Sequence, residues 1–163
     1  MSHNLENLKK HILPLSNLED FYSAKNEWKL VDVEIQEDWD NCPCGKDIKE
    51  LCYIQNQLNG NKTYVGNVCV NQFIGIQTGN LFSGLKRIAK DPTANPNEDL
   101  IIHSYNLGYI FEAEYKFLME TKHKRKLSDK QKAWKEKINR RIVNKTVVRN
   151  KATAKSGATH LPR

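Results

Sequence analysis

A chain of 163 residues, 39% hydrophobic and 28% charged, has room for one compact domain or a small domain with an appendage, and for a modest core. No apolar run approaches the roughly 20 residues that cross a bilayer, and the first eleven residues lack the apolar stretch of a secretory signal. A cytoplasmic protein without a membrane partner is therefore expected. The net charge of +7 is unevenly spread. Met1 to Met119 carries 11 Lys/Arg against 16 Asp/Glu, whereas Glu120 to Arg163 carries 15 against 3. Such an asymmetry points to an anionic partner for the C-terminal quarter, most often nucleic acid.

The first 25 residues read as helical, with Leu5, Leu8 and Ile12 at 3/4 spacing. Pro14 interrupts, and Ser16 or Asn17 is placed to cap a short helix through Phe21 and Tyr22. Trp28 to Gln36 alternates as a strand, with Val31, Val33 and Ile35 on one face. The acidic run Glu37-Asp38-Trp39-Asp40 then leads into a cluster of cysteines. Leu51 to Leu58 and Lys62 to Val65 flank Asn59-Gly60, a hairpin signal of the type I′ turn. A helix is expected from near Cys69 through Phe73, and another over Leu81 to Ile88.

Asp91 to Asn97, with two prolines, is a loop and the best internal boundary. Leu100 to Glu120 reads as a buried helix, or a helix pair broken at Gly108. Ser128 and Gln131 form a capping box for a helix reaching about Val143, with Ala133 or Trp134, Ile138 and Ile142 on its inner stripe. The division expected is a helical segment over 1–27, a zinc-binding α+β module over 28–91, a helical region over 98–143 and a basic, disordered tail over 144–163.

Cys42, Cys44, Cys52 and Cys69 are all of the cysteines, gathered within 28 residues. In a reducing compartment such a cluster favours metal binding over disulfides. Cys42-Pro43-Cys44-Gly45 supplies two thiolates across a tight turn, Cys52 follows on a strand, and Cys69 falls at a helix start. A helix N-terminus stabilises a thiolate. Knuckle, hairpin and helix-start ligand follow the order of a treble-clef zinc module, although a treble clef takes two ligands from its helix and only one cysteine is there. A histidine in place of Cys52, with His103 the foremost candidate, is the alternative ligand set. Unligated core or redox cysteines and an iron–sulfur cluster are the competing readings. Four thiolates would leave no open position for water, so one structural zinc ion is expected.

The run Cys42-Pro-Cys-Gly-Lys-Asp-Ile-Lys-Glu-Leu-Cys, with Asn59-Gly60 and Val65-Gly66-Asn67-Val68-Cys69, resembles a module of small uncharacterised phage and prophage zinc-binding proteins over about residues 41–76. The stretch Leu127 to Trp134 is similar to a short helical motif near the end of phage-type proteins. The resemblance implies a zinc module encoded by a mobile element, hence a host-cytoplasmic protein, and brings no activity with it.

Lys124, Arg125 and Lys126 form a dense cationic cluster ahead of the capped helix, and Lys132, Lys135, Arg140 and Arg141 continue along it. Cations on one side bind phosphates by releasing condensed counterions. Trp134 could stack on a base, but at this spacing such a residue is more often core. No Walker loop, G-x-S-x-G, His-Glu-x-x-His or clustered nuclease carboxylates occur, so neither an enzyme nor a small-molecule substrate is expected. Asp38, Asp40 and Asp47 read as solvated loop residues. The leading expectation is a non-enzymatic, zinc-stabilised α+β protein that contacts DNA or RNA backbone non-specifically. The alternative is a protein-interaction factor that modulates a host enzyme or complex.

Overall fold

The computed structural model describes residues 3–149, and the chain divides between Gly79 and Asn80 into two compact units. The division falls ahead of the expected Asp91–Asn97 boundary, which lies inside the second unit. The fold is α+β: among the described residues there are seven α-helices and one three-stranded antiparallel sheet.

In the first unit, helix α1 (His3–Ile12) buries Leu8 and Ile12 completely. Pro14, with no amide hydrogen to give, sits in a single 3₁₀ turn over Leu13–Leu15. Helix α2 (Phe21–Ala24) is capped by Asp20, whose carboxylate accepts the Ser23 amide at 2.9 Å, and not by Ser16 or Asn17. Those two residues are used elsewhere. The Ser16 hydroxyl accepts the Trp28 indole N–H at 2.8 Å, and the Asn17 amide donates to Glu27 at 2.7 Å. Buried Glu27 also accepts from the Leu18 amide and from Asn56 Nδ2, both at 2.8 Å. Burial pushes its carboxyl up, but these three donors hold it below the usual range.

The sheet runs β1 (Trp28–Asn41), β2 (Asp47–Asn56), β3 (Lys62–Gly66) in that order. Strand β1 outlasts its expected end because it resumes pairing after a bulge. Ile35 pairs with Glu50 and Asp40 with Ile48, so residues 36–39 oppose a single residue of β2. The acidic run thus projects from the sheet, with Trp39 66% exposed and the Lys49 ammonium 4.9 Å from its ring centre. An earlier shift at Val31 breaks the expected alternation, and of Val31, Val33 and Ile35 only Val33 is buried.

Asn59-Gly60 does mark a hairpin, but through a five-residue connection over 57–61. Only Gly60 of the pair has positive φ, so the turn is not type I′. Asn56 organises it instead: its side-chain oxygen accepts the Leu58 and Asn59 amides while its Nδ2 is held by Glu27. Helix α3 (Asn67–Ile74) packs on β2 and β3, and its Phe73 ring lies 4.9 Å from Phe21 and 6.3 Å from Trp28. These rings, with Leu8, Ile12, Val33, Ile54, Val65 and Val70, are the apolar interior of the first unit.

The second unit holds α4 (Gly79–Lys90) from its second residue on, α5 (Glu98–Asn106), α6 (Glu112–Thr121) and α7 (Asp129–Val143). The aromatic stretch is therefore the helix pair, broken at Gly108. The Ser128–Gln131 capping box forms as expected, and Ile138 and Ile142 join Ile88, Leu100, Ile101, Ile110 and Leu118 in the core. Glu114 of α6 and Arg141 of α7 make a two-pronged ion pair at 2.8 and 2.5 Å within that interior.

The expected disorder does not begin at Asn144. Residues through Arg149 fold back, and the Val148 and Arg149 amides donate to the Gly108 carbonyl at 2.8 and 3.1 Å. The Arg149 guanidinium donates to the carbonyls of Ile110 (2.9 Å) and Tyr105, and lies 4.1 Å from the Tyr105 ring centre. Only glycine suits position 108, where φ is +84° and a Cβ would stand 2.6 Å from the Arg149 carbonyl oxygen. Residues 150–163 of the expected tail lie outside the described residues.

Candidate metal centre

The turn between β1 and β2 closes on itself: the Cys42 amide donates to the Lys46 carbonyl, and the Gly45 amide to the Cys42 carbonyl, both at 2.8 Å. From α1, Asn7 Nδ2 donates to the Cys44 carbonyl at 3.2 Å and fixes the turn from outside. The third cysteine arrives where β3 becomes α3, Cys69 standing in the first turn of that helix. Gly66 caps the junction, and its amide donates to Cys42 Sγ at 3.3 Å. A Cβ at Gly66 would sit 3.0 Å from Ile48 Cγ2, so a side chain there would push the junction off the turn.

The Sγ atoms of Cys42, Cys44 and Cys69 all lie within 4.8 Å of one another, and Cys42 and Cys69 are 3.6 Å apart. Tetrahedral zinc with sulfur at about 2.3 Å requires a sulfur–sulfur edge of roughly 3.8 Å. The three thiols are thus close enough to hold a metal ion. At 3%, 1% and 6% exposure they are also shut off from bulk water. The hydrogen bond from Cys69, aided by the Cys44 and Gly66 amides, outweighs burial and draws the Cys42 thiol down to about 5. Cys69 is pushed up by the same bond, which favours keeping its proton. Metal binding to thiols releases their protons, and the pull on Cys42 favours the thiolate that an ion needs.

Cys52, the expected fourth ligand, lies outside this group. Strand pairing sets it directly between Val33 of β1 and Val65 of β3, facing the interior that Ile54 shares. Its sulfur is 3.9 Å from Thr78 Oγ1, and burial pushes its thiol up to about 12. It behaves as a small core residue. Cys52→Val is accordingly expected to retain full metal content, measured by elemental analysis of the purified protein. Equal loss in Cys52→Val and Cys69→Ser would contradict the assignment.

The alternative ligand His103 stands on α5, in the second unit. Two residues of α1 escaped the sequence reading, Asn7 and His11. They lie four apart on one helix face, beside the buried Leu8 and Ile12 stripe, and that spacing was the available signal. His11 Nε2 is 2.6 Å from Thr63 Oγ1; burial lowers its pKa, against the charge of nearby Cys42. Asp40 accepts the Tyr64 hydroxyl at 3.1 Å, while Asp38 and Asp47 are exposed, and none of the three joins the sulfur group.

The cationic residues divide in two. Lys124, Arg125, Lys126, Lys132 and Arg140 are exposed. Lys135 is fully buried and donates to Asn95 Oδ1, and Arg141 is committed to Glu114. Neither of those two presents its charge at the surface. Trp134 stacks on Phe117 at 4.2 Å between ring centres and directs its N–H to Glu114 at 3.4 Å, a packing role. The chain matches no protein-family model, and no curated protein or solved structure gives a significant match.

Proposed function

We propose that this chain is a non-enzymatic binding protein of phage or prophage type, in which one zinc ion braces the first unit and the second unit contacts DNA or RNA backbone. The observation that carries the nucleic-acid reading is the exposed group Lys124, Arg125, Lys126 and Lys132. None of these has an ion-pair partner among the described residues. Unpaired surface cations are available for phosphates, whereas paired ones must first release a carboxylate. Zinc is favoured for the sulfur site by its soft, all-thiolate donors and by the knuckle–hairpin–helix order that a treble clef shares. Three thiolates leave one tetrahedral position to a ligand from outside the group. Burial of all three argues for a bracing role.

A labelled single-stranded oligonucleotide of arbitrary sequence is expected to bind at low salt, with affinity falling steeply as salt rises. Four phosphate contacts would give a log–log slope of about −3. Absence of binding at low salt would overturn the reading. Any truncation used alongside should begin after Arg149, because the residues before it are part of the fold.

A second reading rests on Trp39. An exposed indole on an acidic bulge suits a protein contact, and supports an interaction factor directed at a host enzyme or complex.

A further inference from the structure

The connection between α4 and α5 (residues 91–97) and that between α6 and α7 (residues 122–128) face each other across a cavity of about 490 Å³. Arg87, Lys122, Lys124, Arg125 and Lys132 line it, with Asn95, and among the described residues no carboxylate does. Lys122 is paired with Glu98, and Arg87 feels the charge of Asp91, whose carboxylate is turned into its own loop by the Thr93 amide and hydroxyl. Lys124, Arg125 and Lys132 have no ion-pair partner among the described residues. Three cations without a carboxylate partner among the described residues, with two more offset by Glu98 and Asp91, thus surround one concave space.

The walls are built from beneath. Lys135 and Asn139, one helical turn apart on α7, are both fully buried. Asn139 Nδ2 donates to the Pro92 and Ala94 carbonyls at 2.7 and 2.8 Å, and Lys135 donates to Asn95 Oδ1. Asn95 in turn gives its Nδ2 to the Lys124 carbonyl at 2.9 Å, tying one wall to the other. Each end of the Asn95 amide thus has a partner that holds it in place, and the charged donors at the cavity are the lysines and arginines. Burying a lysine with no carboxylate beside it costs stability, and here that cost is spent on holding a cationic cavity open.

An internal phosphodiester carries one negative charge, whereas a terminal phosphate monoester carries close to two near neutral pH. A cavity with this concentration of charge favours the monoester. We propose that it receives the terminal phosphate of a nucleic-acid strand, an assignment that rests on the nucleic-acid reading above and names the position at which the strand is gripped.

The test uses the whole protein and one short oligonucleotide made in three forms: 5′-phosphorylated, 3′-phosphorylated and with both ends hydroxyl. One of the phosphorylated forms is expected to bind about tenfold more tightly than the hydroxyl form, the worth of one charge-assisted hydrogen bond. The double variant Lys124→Gln/Lys132→Gln should erase that preference. Lys137→Gln, which removes one charge from the exposed part of α7 away from the cavity, should keep it. Circular dichroism checks that each variant is folded. Equal affinity for all three forms overturns the inference while leaving backbone binding intact, and failure to bind any form overturns the nucleic-acid reading itself. Binding of inorganic phosphate or a mononucleotide as tightly as the phosphorylated strand overturns the strand assignment in favour of a small phosphorylated ligand.

Discussion

With zinc in the three-sulfur site, as proposed, removing the metal is expected to unfold the first unit. Structural zinc in thiolate sites contributes an apparent 10–16 kcal/mol or so near neutral pH, against about 5–15 kcal/mol for the whole stability of an ordinary domain. The first unit has little else to spare: three strands, the short helices α1 and α3 beside them, and an apolar interior made by a dozen or so side chains. Cys42, Cys44 and Cys69 join the β1–β2 turn to the start of α3, so losing the ion frees the element that covers the sheet. With a chelator, or in Cys69→Ser, amide exchange in β2 and β3 should approach the unprotected rate, while α5 to α7 remain protected. Unchanged protection in β2 and β3, together with no metal in the purified protein, would show that the three cysteines are only packed thiols.

The second large effect lies in the ion pair of α6 and α7. Arg141→Met is expected to cost about 3–5 kcal/mol at pH near 7, because it leaves a buried carboxylate without its cation. The side chains of Arg141 and Glu114 are only 12% and 7% exposed, so solvent cannot replace the lost partner. Adding Glu114→Met to the same chain should recover most of the loss, since an apolar pair of similar size needs no counter-charge. Burial pushes the Glu114 carboxyl up, but Arg141 and the Phe111 amide outweigh it and hold it below the usual range. A depressed carboxylate stabilises the fold above its ordinary pKa, and that contribution fades as pH falls through its folded value. The gap between the wild-type chain and Arg141→Met should therefore narrow in acid, where the orphaned carboxyl takes up a proton. Urea unfolding at about pH 7 and about pH 4 measures both effects. A gap that stays constant with pH would assign the loss to packing alone.

Much of the metal site was legible because its geometry is local. A C-x-C-G turn brings two sulfurs together whatever the rest of the chain does, and a cysteine after Val-Gly-Asn-Val falls at a helix start. Cys52 was not legible, because its place depends on which face of β2 meets which face of its neighbours. The bulges at Val31 and at residues 36–39 set that pairing, and nothing in the alternation of β1 announces them. The exclusion of a catalytic ion by four thiolates goes with it, leaving burial as the argument for a structural one.

On α7 the inner stripe is clear in Ile138 and Ile142, yet Lys135 stands at the same 3/4 spacing and its charge marks it as surface. A lysine at an inward position reads as solvated until the asparagine that receives it, forty residues away, is known. Arg149 is harder still. It has no periodicity to betray it, and its partners are main-chain carbonyls and the face of Tyr105.

That return of the chain onto Gly108 has a consequence for the order of folding. The bonds from Arg149 to Tyr105 and Ile110 span 44 and 39 residues, among the long closures of the second unit. During synthesis the α5–α6 connection exists well before its fastener does. The four helices can therefore meet first, with Arg141 already on the Tyr109 carbonyl, and the latch over Gly108 closes only once residue 149 is present. A chain released short of that residue would have all of its helices and still lack its lock.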